Sequence, residues 1–455
     1  MSNQFTSTLP RDFVWGAATA SFQIEGAANE DGRGESVWDR FCATPGKVRN
    51  GDDGAVACDF YHRYRDDIAL MRELGIDAFR FSIAWPRVVP AGRGPVNQAG
   101  LDFYDRLVDE LLASGITPFV TLFHWDTPQP IEDAGGWPSR ATVEAFCEYV
   151  EAVAARLGDR VKHWITHNEP WVVSWVGHAW GHHAPGRTSD PDALATAHHL
   201  LLSHGRAVDI LRRLSPGSEV GITLNLDHPY PATDDEGDAA AARWVDGLHN
   251  RWFLDPIFHG RYPDDLAEEW GPILPEVQDG DLETIAAPVD FLGINNYTSP
   301  LVAADDNGGR SQIVRRQGVE HTDMGWEVVP DGLHDLLVRV HRDYSPKAIY
   351  VTENGAAFPD VRDHRGEVDD PERQAYFEGY IDAAARAVAA GVPLRGYFAW
   401  SLLDNFEWAW GYWKRFGLVY VDYPTLERVP KGSFYWYRDL IAAQREQSEG
   451  SEAAA

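Results

Sequence analysis

Tyr61-His-Arg-Tyr-Arg-Asp-Asp-Ile-Ala-Leu-Met-Arg-Glu-Leu-Gly-Ile-Asp-Ala78-Phe-Arg-Phe-Ser-Ile-Ala-Trp85 changes its hydrophobic period part-way along. From Tyr61 to Leu74 the apolar residues Tyr64, Ile68, Met71 and Leu74 fall at helical spacing and share one face. Gly75 then supplies a left-handed stop. From Ala78 to Trp85 a short run of aromatic and aliphatic residues reads as a strand. The next unit repeats the pattern. Leu101 to Ser114 places Tyr104, Leu107, Val108, Leu111 and Leu112 on one helical face, Gly115 ends it, and Thr117 to Phe123 is again strand-like.

Outward from this segment the same alternation occurs eight times. The remaining strand candidates are Phe13 to Thr19, His163 to Asn168, Val220 to Leu226, Phe291 to Tyr297, Ala348 to Glu353 and Gly396 to Leu402. Parallel strands need crossover helices, and a closed sheet leaves no edge, so eight such units predict an α/β fold, a (β/α)8 TIM barrel. One domain over residues 1–445 with extended βα loops accounts for the pattern. An open doubly wound sheet is the weaker reading, because no Gly-x-Gly-x-x-Gly follows a strand. Asp227 to Ala239 and Ala303 to Asp323 lack period and are expected to be irregular decorations of the barrel mouth, where barrel chemistry sits. The polar, small tail 446–455 is expected to be disordered.

Composition narrows the partners. At 455 residues the chain has the length of three average domains or of one large barrel. It is 44% hydrophobic and 24% charged, the range of ordinary globular proteins. Acidic residues outnumber basic ones 70 to 40, and the formal charge of -30 repels phosphate backbones and anionic lipid. Nucleic acid and membrane partners are therefore disfavoured. Only five of the basic residues are Lys, so the surface is expected to be acidic and Arg-rich. Cys42, Cys58 and Cys147 form no disulfide framework or zinc spacing and read as small buried hydrophobes. No secretory leader and no run of eighteen apolar residues is visible, and the simplest placement is cytoplasmic. Trp supplies 18 of the 55 aromatics, more than core packing requires.

Two carboxylates stand at strand ends. Glu169 lies in Thr166-His-Asn-Glu-Pro170 after the fourth strand, and Glu353 lies in Val351-Thr-Glu-Asn-Gly355 at the end of the seventh. Two Glu residues over one barrel mouth are the pair that cleaves a glycosidic bond, one protonating the departing oxygen and one meeting the oxocarbenium carbon.

With these residues in place the sequence resembles glycoside hydrolase family 1, the β-glucosidase family. The match is distributed: Phe13-Val-Trp-Gly-Ala-Ala-Thr-Ala-Ser-Phe-Gln-Ile-Glu-Gly26, Phe79-Arg-Phe-Ser-Ile-Ala-Trp85, Phe123-His-Trp-Asp126, Thr166 to Pro170, Gly293-Ile-Asn-Asn-Tyr297, Val351 to Gly355, Trp400-Ser and Asp404-Asn-Phe-Glu-Trp408 run in family order over nearly the whole chain. The resemblance implies a retaining, exo-acting β-glycosidase acting on terminal β-D-glucosyl residues, with fucosides and galactosides as further substrates. Glu353 is then the nucleophile and Glu169 the acid/base, with carboxyl groups about 5 to 5.5 Å apart. Arg80 matches the family arginine beside the nucleophile, Tyr297 adds a hydrogen bond to it, and Asn168 matches the residue that bonds the sugar 2-hydroxyl. Asn295 supports the pair.

By the same resemblance Gln23, His124, Glu407 and Trp408 grip the 3-, 4- and 6-hydroxyls, Trp400 forms the stacking floor, Trp125 and Phe416 wall the pocket, and Trp326 lines the outer subsite. Neither cofactor nor metal is implied. His178, His182 and His183, and likewise His198, His199 and His204, form no recognised ligand spacing and read as loop and supporting groups. The expected partners are small β-glucosides and cello-oligosaccharides, with assembly into a homo-oligomer left open. A 6-phosphoglycosidase is disfavoured because Glu407 would face the phosphate. A silent sugar-binding barrel is disfavoured because both Glu residues are present. Asn296 and His178 depart from the family pattern, where aromatic residues are common, and are expected to alter the site's periphery.

Overall fold

In the computed structural model, residues 9–305 and 308–452 are described. Eight parallel strands close into a barrel: β1 (Val14–Ala18), β2 (Ala78–Ser82), β3 (Thr117–Phe123), β4 (His163–Asn168), β5 (Glu219–Asn225), β6 (Phe291–Asn295), β7 (Ile349–Asn354) and β8 (Leu394–Trp400). Each pairs with its sequence neighbours, and β8 closes on β1 with Val14 opposite Gly396 and Ala18 opposite Trp400. All eight expected strands are present. The helix Phe60–Leu74 stops at Gly75, which takes φ +77° and donates to the carbonyls of Met71 and Arg72. Gly115, at φ +73°, lies one residue beyond the Ser114 cap of the helix Gln98–Ala113 and donates to the Leu112 carbonyl.

Alternation along the strands sorts the interior by height. Phe119, Ile165, Phe291, Tyr350 and Phe398 fill the lower barrel as an apolar plug, with Phe119 4.9 Å from Phe398 and 5.3 Å from Tyr350 between ring centres. Burial of each such side chain stabilises the fold by about 1.5–3 kcal/mol. Gly16 and Gly221 make the plug fit, since a Cβ on either would lie about 2.3–2.5 Å from the ring of Phe398 or Phe291. Two residues further along, the inward positions become polar: Arg80, Thr121, Thr223 and Thr352, all fully or almost fully buried. A separate apolar layer joins the outer strand faces to the helices. Cys42, Cys58 and Cys147 are buried and unpaired, as expected.

Three features differ from the sequence reading. The stretches expected to be irregular carry the segments Tyr230–Pro231 and Gln312–Val314, which join Leu301–Ala303 in a small sheet, and the helix Glu236–Asp246. These strand segments are too short to show a period. The last helix, Gly432–Glu452, continues past residue 446, where disorder was expected. A helix already anchored by Phe434, Tyr437, Leu440 and Ile441 adds one backbone hydrogen bond for each further residue it orders, even where composition is polar. Residues 453–455 of that tail, and residues 1–8 where no leader was seen, lie outside the described residues. No helix among the described residues is long and apolar enough to cross a membrane.

Candidate active site

Simple alternation would not place both Thr352 and Glu353 inside the barrel. The register of β7 slips against β6 between Val351 and Glu353, and against β8 between Val351 and Asn354. Such an irregularity re-aims side chains. It lets Thr352 bond inward to Asn295 while Glu353, the next residue, also meets inward partners. β4 slips likewise against β5 between Ile165 and Asn168, so that both of these residues face the interior. Glu169 follows at φ +47°. Its N–H bonds the carbonyl of Thr223, and its own carbonyl accepts from Val172 as Pro170 starts the next helical segment. That segment is wound as a π-helix over Val172–Ala179.

Glu353 is buried and doubly held. Arg80 Nη1 donates to its Oε1 at 2.5 Å and the Tyr297 hydroxyl donates to its Oε2 at 2.6 Å. Burial and the charge of Glu353 hold the Tyr297 hydroxyl well above its ordinary pKa, so it remains a donor. Glu169 has the opposite surroundings. Burial first, then the charge of Glu353, raise its pKa well above the usual carboxylate range, with Glu407 adding to the rise; a hydrogen bond from Asn295 and the charge of Arg80 oppose it. Asn295 Nδ2 donates to Glu169 Oε1 at 2.6 Å and to Asn168 Oδ1 at 3.0 Å. The site thus holds a carboxyl that keeps its proton beside one whose two oxygens accept hydrogen bonds, one of them from a guanidinium.

Around this pair lies a cavity of about 410 Å³. Its walls include His124, Trp125, Glu169, Asn295, Tyr297, Trp326, Glu353, Trp400, Glu407, Trp408 and Phe416, so most of the expected residues meet there. Arg80, Asn168 and Gln23 are buried behind that wall. Gln23, on the short helix Ser21–Ile24, donates through Nε2 to Asn405 Oδ1 and to the Phe406 carbonyl. This leaves Gln23 Oε1 without a partner. His124 Nδ1 and Glu407 Oε2 are also buried and unpartnered. Orphaned polar atoms on three neighbouring groups suit a polyhydroxylated ligand, whose hydroxyls both donate and accept. Burial, and next the charge of Arg80, hold His124 well below its ordinary pKa and keep it neutral. Burial and the charge of Glu353 push Glu407 up to about 8.

The aromatic walls rest on unusual backbone. Trp125 and Trp408 take φ of +78° and +48°, a region rare for bulky residues, and their rings meet at 4.4 Å. The Trp125 indole donates to the Asn168 carbonyl at 2.9 Å, tying β3 to β4. Trp400 ends β8 and lies nearly parallel to the His124 ring.

Sequence reasoning missed Trp171, Val172, Val176, Asn225, Asp227, His249, Thr298, Met324 and Trp410, which also line the cavity. Asn225 ends β5 and Asp227 follows it, so the strand-end rule pointed to both. His249 lies on a helix and gave no such signal. His183 lines the cavity directly, whereas it was expected to be a supporting group. His198, His199 and His204 bond Tyr262 and Asp281, the Trp137 carbonyl and Thr166 respectively. Asn296 and His178, expected to shape the site's periphery, are both buried outside the cavity lining; Asn296 donates to the Leu226 and Thr298 carbonyls, and His178 bonds the Val173 carbonyl.

The glycosyl hydrolase family 1 model matches residues 5–446. Beta-glucosidase A of Acetivibrio thermocellus is 49% identical over 440 residues, covering 95% of this chain and 98% of that protein. The bifunctional β-D-glucosidase/β-D-fucosidase of Bifidobacterium breve is 44% identical over 464 residues, covering 96% and 99%. The structure of a β-glucosidase from Thermotoga maritima in complex with glucoimidazole superposes with a TM-score of 0.94 at 47% identity, covering 96% of this chain and 99% of that one. The chain belongs to glycosyl hydrolase family 1.

Proposed function

We propose that this protein is a β-glucosidase that releases terminal β-D-glucosyl residues from small glycosides and cello-oligosaccharides with net retention. The observation that carries the reading is the asymmetry of the two carboxyls: Glu353 accepts hydrogen bonds from Arg80 and Tyr297, while burial and the neighbouring charge keep Glu169 protonated. In the first step Glu353 forms a bond to the anomeric carbon as the bond to the aglycone oxygen breaks, and Glu169 gives its proton to that oxygen. Esterification removes the charge of Glu353. The repulsion that raised Glu169 then disappears, so Glu169, now a carboxylate, takes a proton from water as the water attacks the same carbon and the ester bond breaks.

Gln23, His124 and Glu407 hold the sugar hydroxyls through their unpartnered atoms, with Trp400 beneath the ring and Trp326 on the aglycone side. Fucosides are a second substrate class, supported by the bifunctional relative. A 6-phospho sugar fits poorly, since the cavity lining carries Glu407 and neither Lys nor Arg. The test is Glu353→Gly: hydrolysis of an aryl β-glucoside should vanish, and azide should restore turnover with α-glucosyl azide as product. Undiminished hydrolysis by that variant would overturn the assignment.

A further inference from the structure

Cleavage with retention requires Glu169 to give up a proton in one step and to accept one in the next. The structure surrounds it with a chain of hydrogen bonds whose polarity is set at one end by Arg80. Arg80 can only donate, and its Nη2 donates to Asn168 Oδ1 at 2.6 Å. Asn168 must therefore present its oxygen on that side, and Asn295 can approach the same oxygen only with its NH2 group, at 3.0 Å. On the other side of Asn295, the Thr352 hydroxyl donates to Oδ1 at 2.8 Å and accepts from the Thr223 hydroxyl at 3.2 Å.

Gly293 makes this crossing feasible. It lies between Thr223 on β5 and Thr352 on β7, and a Cβ there would sit 2.3 Å from one hydroxyl and 2.9 Å from the other. Thr223, Thr352 and Asn295 are all buried, so no bulk water can substitute for a lost partner.

We propose that Asn295 is a positioning residue whose amide orientation is set by Arg80 through Asn168 on one side and whose oxygen is held by the Thr352 hydroxyl, itself backed by Thr223, on the other, so that it can only donate to Glu169. This deepens the assignment of Glu169 as acid/base and rests on it. A donor of fixed polarity favours the carboxylate, the form needed for the second step, and offsets part of the effect of burial and of the charges on Glu353 and Glu407. Arg80 and Tyr297 also face this pair, His124 bonds Asn168 at 3.1 Å, and His183, Asp227 and His249 are the other titratable groups of the cavity lining.

The test uses the intact enzyme and the pH dependence of kcat/KM, whose basic limb reports the protonated acid in the free enzyme. Asn295→Leu removes the donor without emptying the space, and the basic limb should move up by about half a unit to one unit, a threefold to tenfold fall in the acid dissociation constant. Thr352→Val should move it the same way by less, and Thr352→Ser should restore the wild-type profile. Folded variants with lower kcat but an unmoved basic limb would overturn this role and leave Asn295 and Thr352 as packing residues. If Glu169→Ala retains the wild-type basic limb, the acid/base assignment itself fails, a result distinct from failure of the positioning role.

Discussion

Removing the Glu169 carboxyl as Glu169→Ala separates the two jobs assigned to it. The substitution leaves Arg80 and Tyr297 on Glu353, and Asn295 keeps its bond to Asn168, so the nucleophile and the 2-hydroxyl contact should stay in place. What is lost is proton transfer. General acid catalysis contributes about 10²–10⁴ in rate, which at 1.36 kcal/mol per decade is about 2.7–5.4 kcal/mol of barrier. A phenyl β-glucoside needs most of that help, because phenolate leaves poorly, and its kcat/KM should fall by about 10³. 2,4-Dinitrophenolate departs as a stable anion, so its β-glucoside should lose less than about tenfold in the same constant. The second step then lacks its base, so the dinitrophenyl substrate should give a burst followed by slow turnover. Azide needs no base and should accelerate that turnover, giving β-glucosyl azide. Steady-state and stopped-flow release of the phenols measure all of this. Equal losses for the two leaving groups would refute the role and leave Glu169 as a structural group.

Three further outcomes follow from the same contacts. Glu169 has an ordinary carboxyl pKa of 4.5 in the unfolded chain and a raised one in the fold, so wild-type stability falls as pH rises from 4.5 toward the folded value; Glu169→Gln should match wild type near pH 4 and show a higher Tm than wild type near pH 7.5 by calorimetry. Glu407→Ala should lower kcat/KM on glucosides by about 5- to 150-fold, the cost of leaving a buried hydroxyl without its partner, and on fucosides by less because they lack the 6-hydroxyl; equal losses would remove Glu407 from the 6-position. Lys431 is buried and joins Asp360 to Asp404, so Lys431→Met strands part of two buried charges, costs about 3–5 kcal/mol and should lower Tm by about 3–5 °C, checked by thermal unfolding.

The barrel was legible because its strands are short, buried and separated by helices of clear period. Tyr64, Ile68, Met71 and Leu74 are buried as their spacing implied, and Gly75 ends that helix with the geometry a glycine stop predicts. The small sheet over the mouth was not legible, since segments as short as Tyr230–Pro231 and Gln312–Val314 gain their pairing from tertiary position rather than from any local pattern.

The functional side chains were legible as residue types at strand ends, but not the devices that aim them. Alternation sends adjacent residues to opposite faces, so it cannot place both Thr352 and Glu353 inside the barrel; that takes a register slip, which leaves no mark in composition. The same holds for the positive φ of Trp125, Glu169 and Trp408, which sequence statistics would assign to glycine or asparagine before tryptophan or glutamate. Local preference is therefore violated at residues that line the cavity, whereas Gly16 and Gly221 in the plug below answer to space rather than to backbone preference. A backbone forced away from its preferred state persists only where surrounding contacts over-determine it. Here those contacts are visible: the Trp125 indole on the Asn168 carbonyl, the Glu169 amide on the Thr223 carbonyl, and the packed rings of Trp125 and Trp408. The barrel's stability thus sustains a mouth whose geometry its own local sequence would not adopt.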